Sequence, residues 1–186
     1  MDLVVVGTHG RQGFSRFLLG SQAERIADAL KVPVLFVGPK APPALARWMP
    51  SNVLCATSLD KRGAELVAYA CRLAREYRTH LEIAYQGVLE GEKDYGDWYQ
   101  FKTAAKDLIA SNNGDRPHLH AIFLDEPEPE NLVQTVIARQ VDLLVLGLRA
   151  ESIESPDLRV DSALPKLLAE APCPILAIPF HPHSDS

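Results

Sequence analysis

The sequence predicts an α/β fold with a doubly wound parallel sheet of five strands, preceded by a βαβ fragment of a second copy of the same fold. From residue 52 onward, short apolar strand patterns alternate with amphipathic helix patterns, which is typical of parallel strands joined by right-handed crossovers. The chain also repeats itself. The hexapeptide DLVVVG at residues 2–7 returns as DLLVLG at residues 142–147, and each copy is followed by a helix pattern, a proline and another strand pattern.

The first copy is a single β-loop-α-β unit. Residues 3–6 form a short apolar run that stops at Gly7, as expected of a parallel strand covered on both faces. Ser21 and Glu24 have the spacing of a capping box and predict the start of a helix. A proline then leads into the strand Val34–Val37. We therefore assign residues 1–40 to a partial domain with its last two strands and one helix, here called the partial repeat.

Residues 52–180 carry the pattern of a whole domain, here called the complete repeat. Residues 41–51 are a linker, because prolines break every regular period there, and residues 181–186 are a tail. The helix after the first strand has apolar residues at i, i+3, i+4 and i+7. Further helices are predicted at residues 98–110, at 131–140 with Ile137 facing inward, and from Ser162. The five strands are predicted at residues 53–57, 81–85, 119–124, 143–146 and 175–178, with the ligand crevice at their carboxyl ends.

Gly7, Gly10 and Gly20 are spaced Gly-x2-Gly-x9-Gly and are followed directly by Ser21. Glycines let backbone N–H groups approach a ligand closely, and a helix beginning at Ser21 would stabilise a phosphate. The pattern is neither a P-loop nor a dinucleotide fingerprint. A tight turn at the first two glycines, with close helix packing at Gly20, explains it equally well.

The strand, the glycine spacing and the closing phrases PVLFV and CPILAI together resemble the universal stress protein family. The resemblance covers residues 2–38 as the last third of such a domain and residues 52–179 as a whole one. It implies a cytoplasmic protein, dimeric or tandem, of a family that divides into ATP binders and non-binders. It also implies that the glycine loop holds ATP phosphates, with the candidate residues Gly7, Thr8, His9, Gly10, Arg11, Gly20 and Ser21. His9 and Arg11 would contact an anion or lie as ordinary loop residues at the surface.

The chain departs from the family pattern in both repeats. In the complete repeat Ala150 stands in the place of Gly10 and Asp161 in that of Gly20, and Ser58 replaces an Asp that contacts nucleotide in the family. We therefore expect no ATP binding there. The partial repeat lacks the strands that would enclose adenine and ribose. Micromolar affinity requires about −8 kcal/mol, so ATP binding by a single chain is expected to be millimolar unless another chain completes the pocket.

Composition and charge exclude several classes of protein. A net charge of −5 and a pI near 5.7 argue against nucleic-acid binding. No apolar run approaches the roughly 18 residues that span a bilayer, and no signal peptide is evident. The three cysteines are isolated and predict buried apolar positions. His118 and His120 lack a third metal ligand, and the acidic residues 125–130 suit a helix N-terminus, so no metal is predicted.

We expect a non-catalytic, cytoplasmic stress-response protein, acting as a regulatory or interaction module with a phosphate loop at its N-terminus. The alternative is an ATP-binding protein with weak ATPase activity, whose pocket a second chain completes. By the resemblance, Val34–Val37 should run antiparallel to residues 175–178. The edge of residues 3–6 then remains open, and an open apolar edge invites another strand. This predicts a homodimer through sheet edges.

Overall fold

The computed structural model describes residues 3–7, 32–42, 49–58, 61–86, 96, 99, 103, 119–124, 128–149 and 160–180. Their helices are α1 (Lys61–Tyr77), α2 (Pro129–Ala138) and α3 (Val160–Glu170). Their strands are β1 (Val4–Gly7), β2 (Val34–Val37), β3 (Asn52–Thr57), β4 (His80–Gln86), β5 (Leu119–Leu124), β6 (Leu143–Arg149) and β7 (Ile175–Phe180). The strands form one sheet of seven, in the order β1-β2-β7-β6-β3-β4-β5.

The sheet is mixed. Strands β7, β6, β3, β4 and β5 are parallel neighbours, and β1 is parallel to β2. The two groups meet where β2 runs antiparallel to β7, with Leu35 opposite Leu176. This confirms the predicted pairing of these two strands. The five strands predicted as one parallel sheet are therefore part of a larger, mixed sheet of seven strands.

Helices cover both faces of the sheet, as the doubly wound pattern predicts. On one face α1 packs its apolar stripe onto β3, β4 and β6, together with Val53, Val145 and Ile178. On the other face α2 and α3 cover Leu54, Leu144 and other buried residues. The α1 stripe follows the helical period and consists of Leu66, Val67, Ala70, Cys71 and Ala74. No helix in the described part is long and apolar enough to cross a membrane.

Two helices end at a non-glycine residue in the left-handed conformation. Arg78 (φ 52°) follows α1 and Gln140 (φ 53°) follows α2. In each case the next N–H reaches back to a carbonyl in the last turn, from Thr79 to Ala74 and from Val141 to Val136, both at 3.0 Å. These Schellman-type bonds turn the chain sharply into β4 and β6. They place buried Thr79 and Val141 just before those strands.

The helix boundaries differ from the predicted ones by about one turn or less. Helix α2 spans Pro129–Ala138 instead of 131–140, because proline suits the first helical position and the left-handed Gln140 ends the helix. The prediction that Ile137 faces inward is wrong, since it is 51% exposed. Helix α3 begins at Val160, two residues before Ser162. Of the helix predicted at 98–110, only residues 99 and 103 are described, and both are helical.

Candidate functional site

The candidate site begins at Gly7, the last residue of β1. Gly7 is exposed and lies beside Val37 of β2. Among the residues that the structure describes, none lies within 4 Å of a Cβ added at Gly7. The open space beyond β1 is therefore compatible with a ligand. The other predicted phosphate-loop residues, Thr8, His9, Gly10, Arg11, Gly20 and Ser21, lie outside the described residues.

Gly147, the counterpart of Gly7 in the complete repeat, has different surroundings. Strand β6 does not stop at this glycine but continues to Arg149, which pairs with Phe180 of β7. The Phe180 ring lies over Gly147, so a Cβ there would come within 2.5 Å of ring atom Cε2. The space that is open at Gly7 is thus filled by an aromatic ring at Gly147. A phosphate could not approach this glycine from the side of the ring.

The carboxyl end of β3 is packed closely against the first turn of α1. Gly63, in the first turn of α1, packs so closely that a Cβ would overlap the carbonyl oxygen of Ser58 and come within 2.7 Å of Thr57 Oγ1. Thr57 is buried, and its hydroxyl donates a hydrogen bond to the same carbonyl oxygen of Ser58 at 3.3 Å. Ser58 supplies no carboxylate where the family pattern has one. The start of α1 therefore packs tightly against the end of β3.

Sequence reasoning missed Phe180 and Gly63 as the residues that close the complete repeat. A glycine in the first turn of a helix is a signal of close approach, because glycine is unfavourable inside helices. Gly63 could therefore have been singled out. Phe180 gives no such signal, since only the register of β6 against β7 brings its ring to Gly147.

The thiols lie in the core, away from the open end of β1. Cys55, Cys71 and Cys173 are all free and buried, as predicted. Burial raises the pKa of Cys55 strongly, that of Cys71 to about 11 and that of Cys173 to about 12. Thiols held in the neutral form are poor nucleophiles. Among the described residues, no three His, Cys, Asp or Glu side chains come together as a metal site would require.

The described ion pairs lie on the face that carries α2 and α3. Arg139 Nη1, just after α2, lies 3.4 Å from Glu82 Oε1 of β4, and Lys166 of α3 pairs with Glu130 of α2. The second pair joins the two helices over the same face of the sheet. Surface pairs of this kind are worth about 0–1 kcal/mol. These pairs hold the helices in position. Neither of them places a charge at the open end of β1.

Comparison with known proteins supports the resemblance to the universal stress protein family. Residues 1–38 match the Universal stress protein family. A 39-residue segment is 53% identical to a universal stress protein of Mycolicibacterium smegmatis (strain ATCC 700084 / mc(2)155), covering 21% of this chain and 13% of that protein. Both matches concern a short part of the chain.

Two solved structures show that the fold is that of universal stress proteins. One from Archaeoglobus fulgidus DSM 4304 has a TM-score of 0.64 at 20% identity, covering 95% of this chain and 62% of its own. A universal stress protein in complex with cAMP has a TM-score of 0.52 at 16% identity, covering 72% of this chain and 98% of its own. The chain thus covers less than two thirds of the longer structure and nearly all of the shorter one.

Proposed function

We propose that the chain is a non-catalytic, universal-stress-type regulatory protein of the cytoplasm, with an anion site at the glycine loop that starts at Gly7. The complete repeat serves as a structural module that binds no nucleotide. The contrast between two equivalent glycines carries this proposal. No described residue lies within 4 Å of a Cβ added at Gly7, whereas Gly147 is covered by the Phe180 ring.

The proposed ligand is a nucleotide or another phosphate-bearing molecule. The match of residues 1–38 to the family includes the whole glycine loop, and one solved neighbour of the same fold was crystallised with cAMP. Both observations favour a phosphate over other anions. The described residues add no carboxylate or basic side chain next to Gly7, so the affinity of one chain for ATP should be in the millimolar range.

The partial and complete repeats are proposed as one unfinished and one finished domain of the same kind. The lengths of the solved neighbours support this division. One neighbour is covered almost entirely by 72% of this chain, as expected if one complete domain is present. The other is longer than this chain and is covered to 62%, as expected if a second domain is only partly present.

Substitution of the two glycines tests the anion site. Gly7→Ala should leave the fold intact, because the added methyl group meets no atom of the described part of the chain within 4 Å. It should weaken ATP binding about tenfold, because a Cβ would stand where the phosphate approaches the backbone. The comparison variant is Gly147→Ala, whose methyl group would displace the Phe180 ring and which should leave ATP affinity unchanged. Calorimetric titration of both variants with ATP, after a check of helix content, measures this difference. Equal affinity of Gly7→Ala and the unmodified chain would refute the site.

A weak ATPase is the second candidate, favoured by the open space beyond β1 if another chain closes it. Release of inorganic phosphate from ATP and magnesium, measured with and without Gly7→Ala, separates the two candidates. The regulatory proposal predicts no release above the buffer rate. Release that depends on Gly7 would establish the ATPase in its place.

A further inference from the structure

Strand β1 presents an apolar surface that its counterpart in the complete repeat does not. Leu3 and Val5 are 50% and 60% exposed, whereas the equivalent Leu143 and Val145 of β6 are 3% and 0% exposed. The residues between them, Val4 and Val6, pack against the core on the opposite face. We call Leu3, Val5 and the free edge of β1 the β1 surface. Nearly the same sequence is thus buried in one repeat and exposed in the other.

A strand and a helix bury the counterpart of the β1 surface. Strand β3 pairs with β6 in parallel, with Cys55 opposite Val145. Helix α1 follows β3 and lays its apolar stripe over Leu143 and Val145. On the side of β1 away from β2, no described strand is paired. Among the described helices, α1 is centred on β3, β4 and β6 and does not cover Leu3 or Val5.

A carboxylate fixes the start of the covering strand. Asp142, just before β6, accepts hydrogen bonds from the backbone N–H of Ser51 at 2.9 Å and of Asn52 at 3.1 Å. Its own N–H donates to the carbonyl oxygen of Asn52 at 3.0 Å. The sequence places Asp2 in the equivalent position before β1. Asp142, Leu143 and Val145 are residues of β6 and its start that contact β3 or α1, and the partial repeat has the same residue types at the equivalent positions.

We propose that the β1 surface binds a strand-helix unit of a partner protein with the chemistry of β3 and α1. The partner strand is apolar and lies parallel to β1, in the register that β3 has with β6. The partner helix is amphipathic, with apolar residues at i, i+1, i+4, i+5 and i+8, the spacing of the α1 stripe. This interaction requires no bound anion at Gly7 in order to form.

Another copy of this chain is a poorer occupant. Two β1 edges pair antiparallel about a twofold axis normal to the sheet, which leaves Leu3 and Val5 of both copies on one open face. Such a contact joins only four residues of each strand, compared with roughly 20–30 residues a side in a stable interface. A strand followed by a helix covers both the edge and the face, as β3 and α1 do.

A peptide of residues 51–78, which contains β3 and α1, serves as the probe. Fluorescence anisotropy of the labelled peptide, titrated with the full chain under reducing conditions, measures binding. Val5→Lys should weaken binding at least about tenfold, since it replaces a buried apolar contact by a charge. The matched control is Ile137→Lys, because Ile137 is 51% exposed on α2 and should not affect binding. Failure of the unmodified chain to bind, or equal binding by Val5→Lys, would overturn the proposal.

A second measurement decides the outcome if the free peptide aggregates. Residues 51–78 are fused ahead of Met1 through a flexible linker, which suits the proposed geometry because α1 returns to the amino ends of the strands. The urea midpoint should rise relative to the unfused chain, and Val5→Lys should abolish the rise. Light scattering of the unfused chain tests the rival explanation, in which a second copy of the chain covers the β1 surface. A dimer that Val5→Lys dissociates would show that another copy of the chain covers the surface.

Discussion

Val145→Ala and Val5→Ala remove the same atoms from equivalent positions of the two repeats, and they should differ sharply in cost. Val145 is fully buried between the sheet and α1. Full burial of a valine is worth about 1.5–3 kcal/mol, and the unfilled cavity adds to the loss. We therefore expect Val145→Ala to lower the free energy of unfolding by about 2–3 kcal/mol. Val5 keeps 60% of its surface exposed, so Val5→Ala should cost less than about 1 kcal/mol.

Urea unfolding followed by circular dichroism measures both losses, provided that the slope of the transition stays constant. Leu143→Ala and Leu3→Ala form a second matched pair, with side chains 3% and 50% exposed. Dilute protein keeps self-association from contributing. Equal losses within either pair would refute the assignment of an open face to β1. A Val5→Ala loss that appears only at high protein concentration would mean that association buries this residue.

Three further predictions concern a tightly packed glycine, a left-handed helix cap and the buried thiols. Gly63→Ala should lower the free energy of unfolding by about 2 kcal/mol or more, because the new methyl group overlaps the backbone carbonyl of Ser58; a neutral result in urea unfolding would contradict this packing. Gln140→Gly should raise it by about 0.5–1 kcal/mol, since φ is 53° there, and no gain in thermal midpoint would contradict the left-handed cap. Burial raises the pKa of Cys71 to about 11 and of Cys173 to about 12, so their stabilising effect is present below pH 9 and is lost as pH rises toward those values. Stability should fall as the pH rises from about 9 toward 11, less so in Cys173→Ala, and a fall of equal size in that variant would contradict the thiol assignment.

The sequence predicts the positions of the strands along the chain well, because each strand is marked by a local run of apolar residues. The antiparallel pairing of β2 with β7 follows from the family resemblance of two similar closing strands. The inward position of Ile137 does not follow from its apolar character. On α2 the buried stripe is Leu132, Val133 and Val136, and Ile137 lies roughly 100° further around the helix than Val136. Whether the stripe includes Val133 or Ile137 depends on how the helix sits on the sheet.

The candidate site is less predictable than the fold, because its two glycines look alike in sequence. Gly7 and Gly147 both end the same hexapeptide pattern, yet Gly147 is covered by Phe180, whereas no described residue covers Gly7. The residue that makes this difference comes from another strand. Departures at Ala150 and Asp161 predict loss of phosphate binding in the complete repeat; Ala150 lies outside the described residues, and Asp161 lies in the first turn of α3. The geometry at Gly147 leads to the same conclusion by a different route.

The two proposals meet at the carboxyl end of β1. In the complete repeat the end of β3 lies beside β6, so a partner strand in the same register would end beside Gly7. It would supply a wall for the pocket that the partial repeat lacks.

If so, ATP and the strand-helix peptide should each raise the affinity for the other by the same factor, as linkage requires. Calorimetric titration with ATP in the presence and absence of saturating peptide measures that factor. Because a completed pocket adds contacts to adenine and ribose, we expect at least about a tenfold gain, or about 1.4 kcal/mol. An ATP affinity that saturating peptide leaves unchanged would mean that the partner covers the β1 surface without completing a nucleotide pocket.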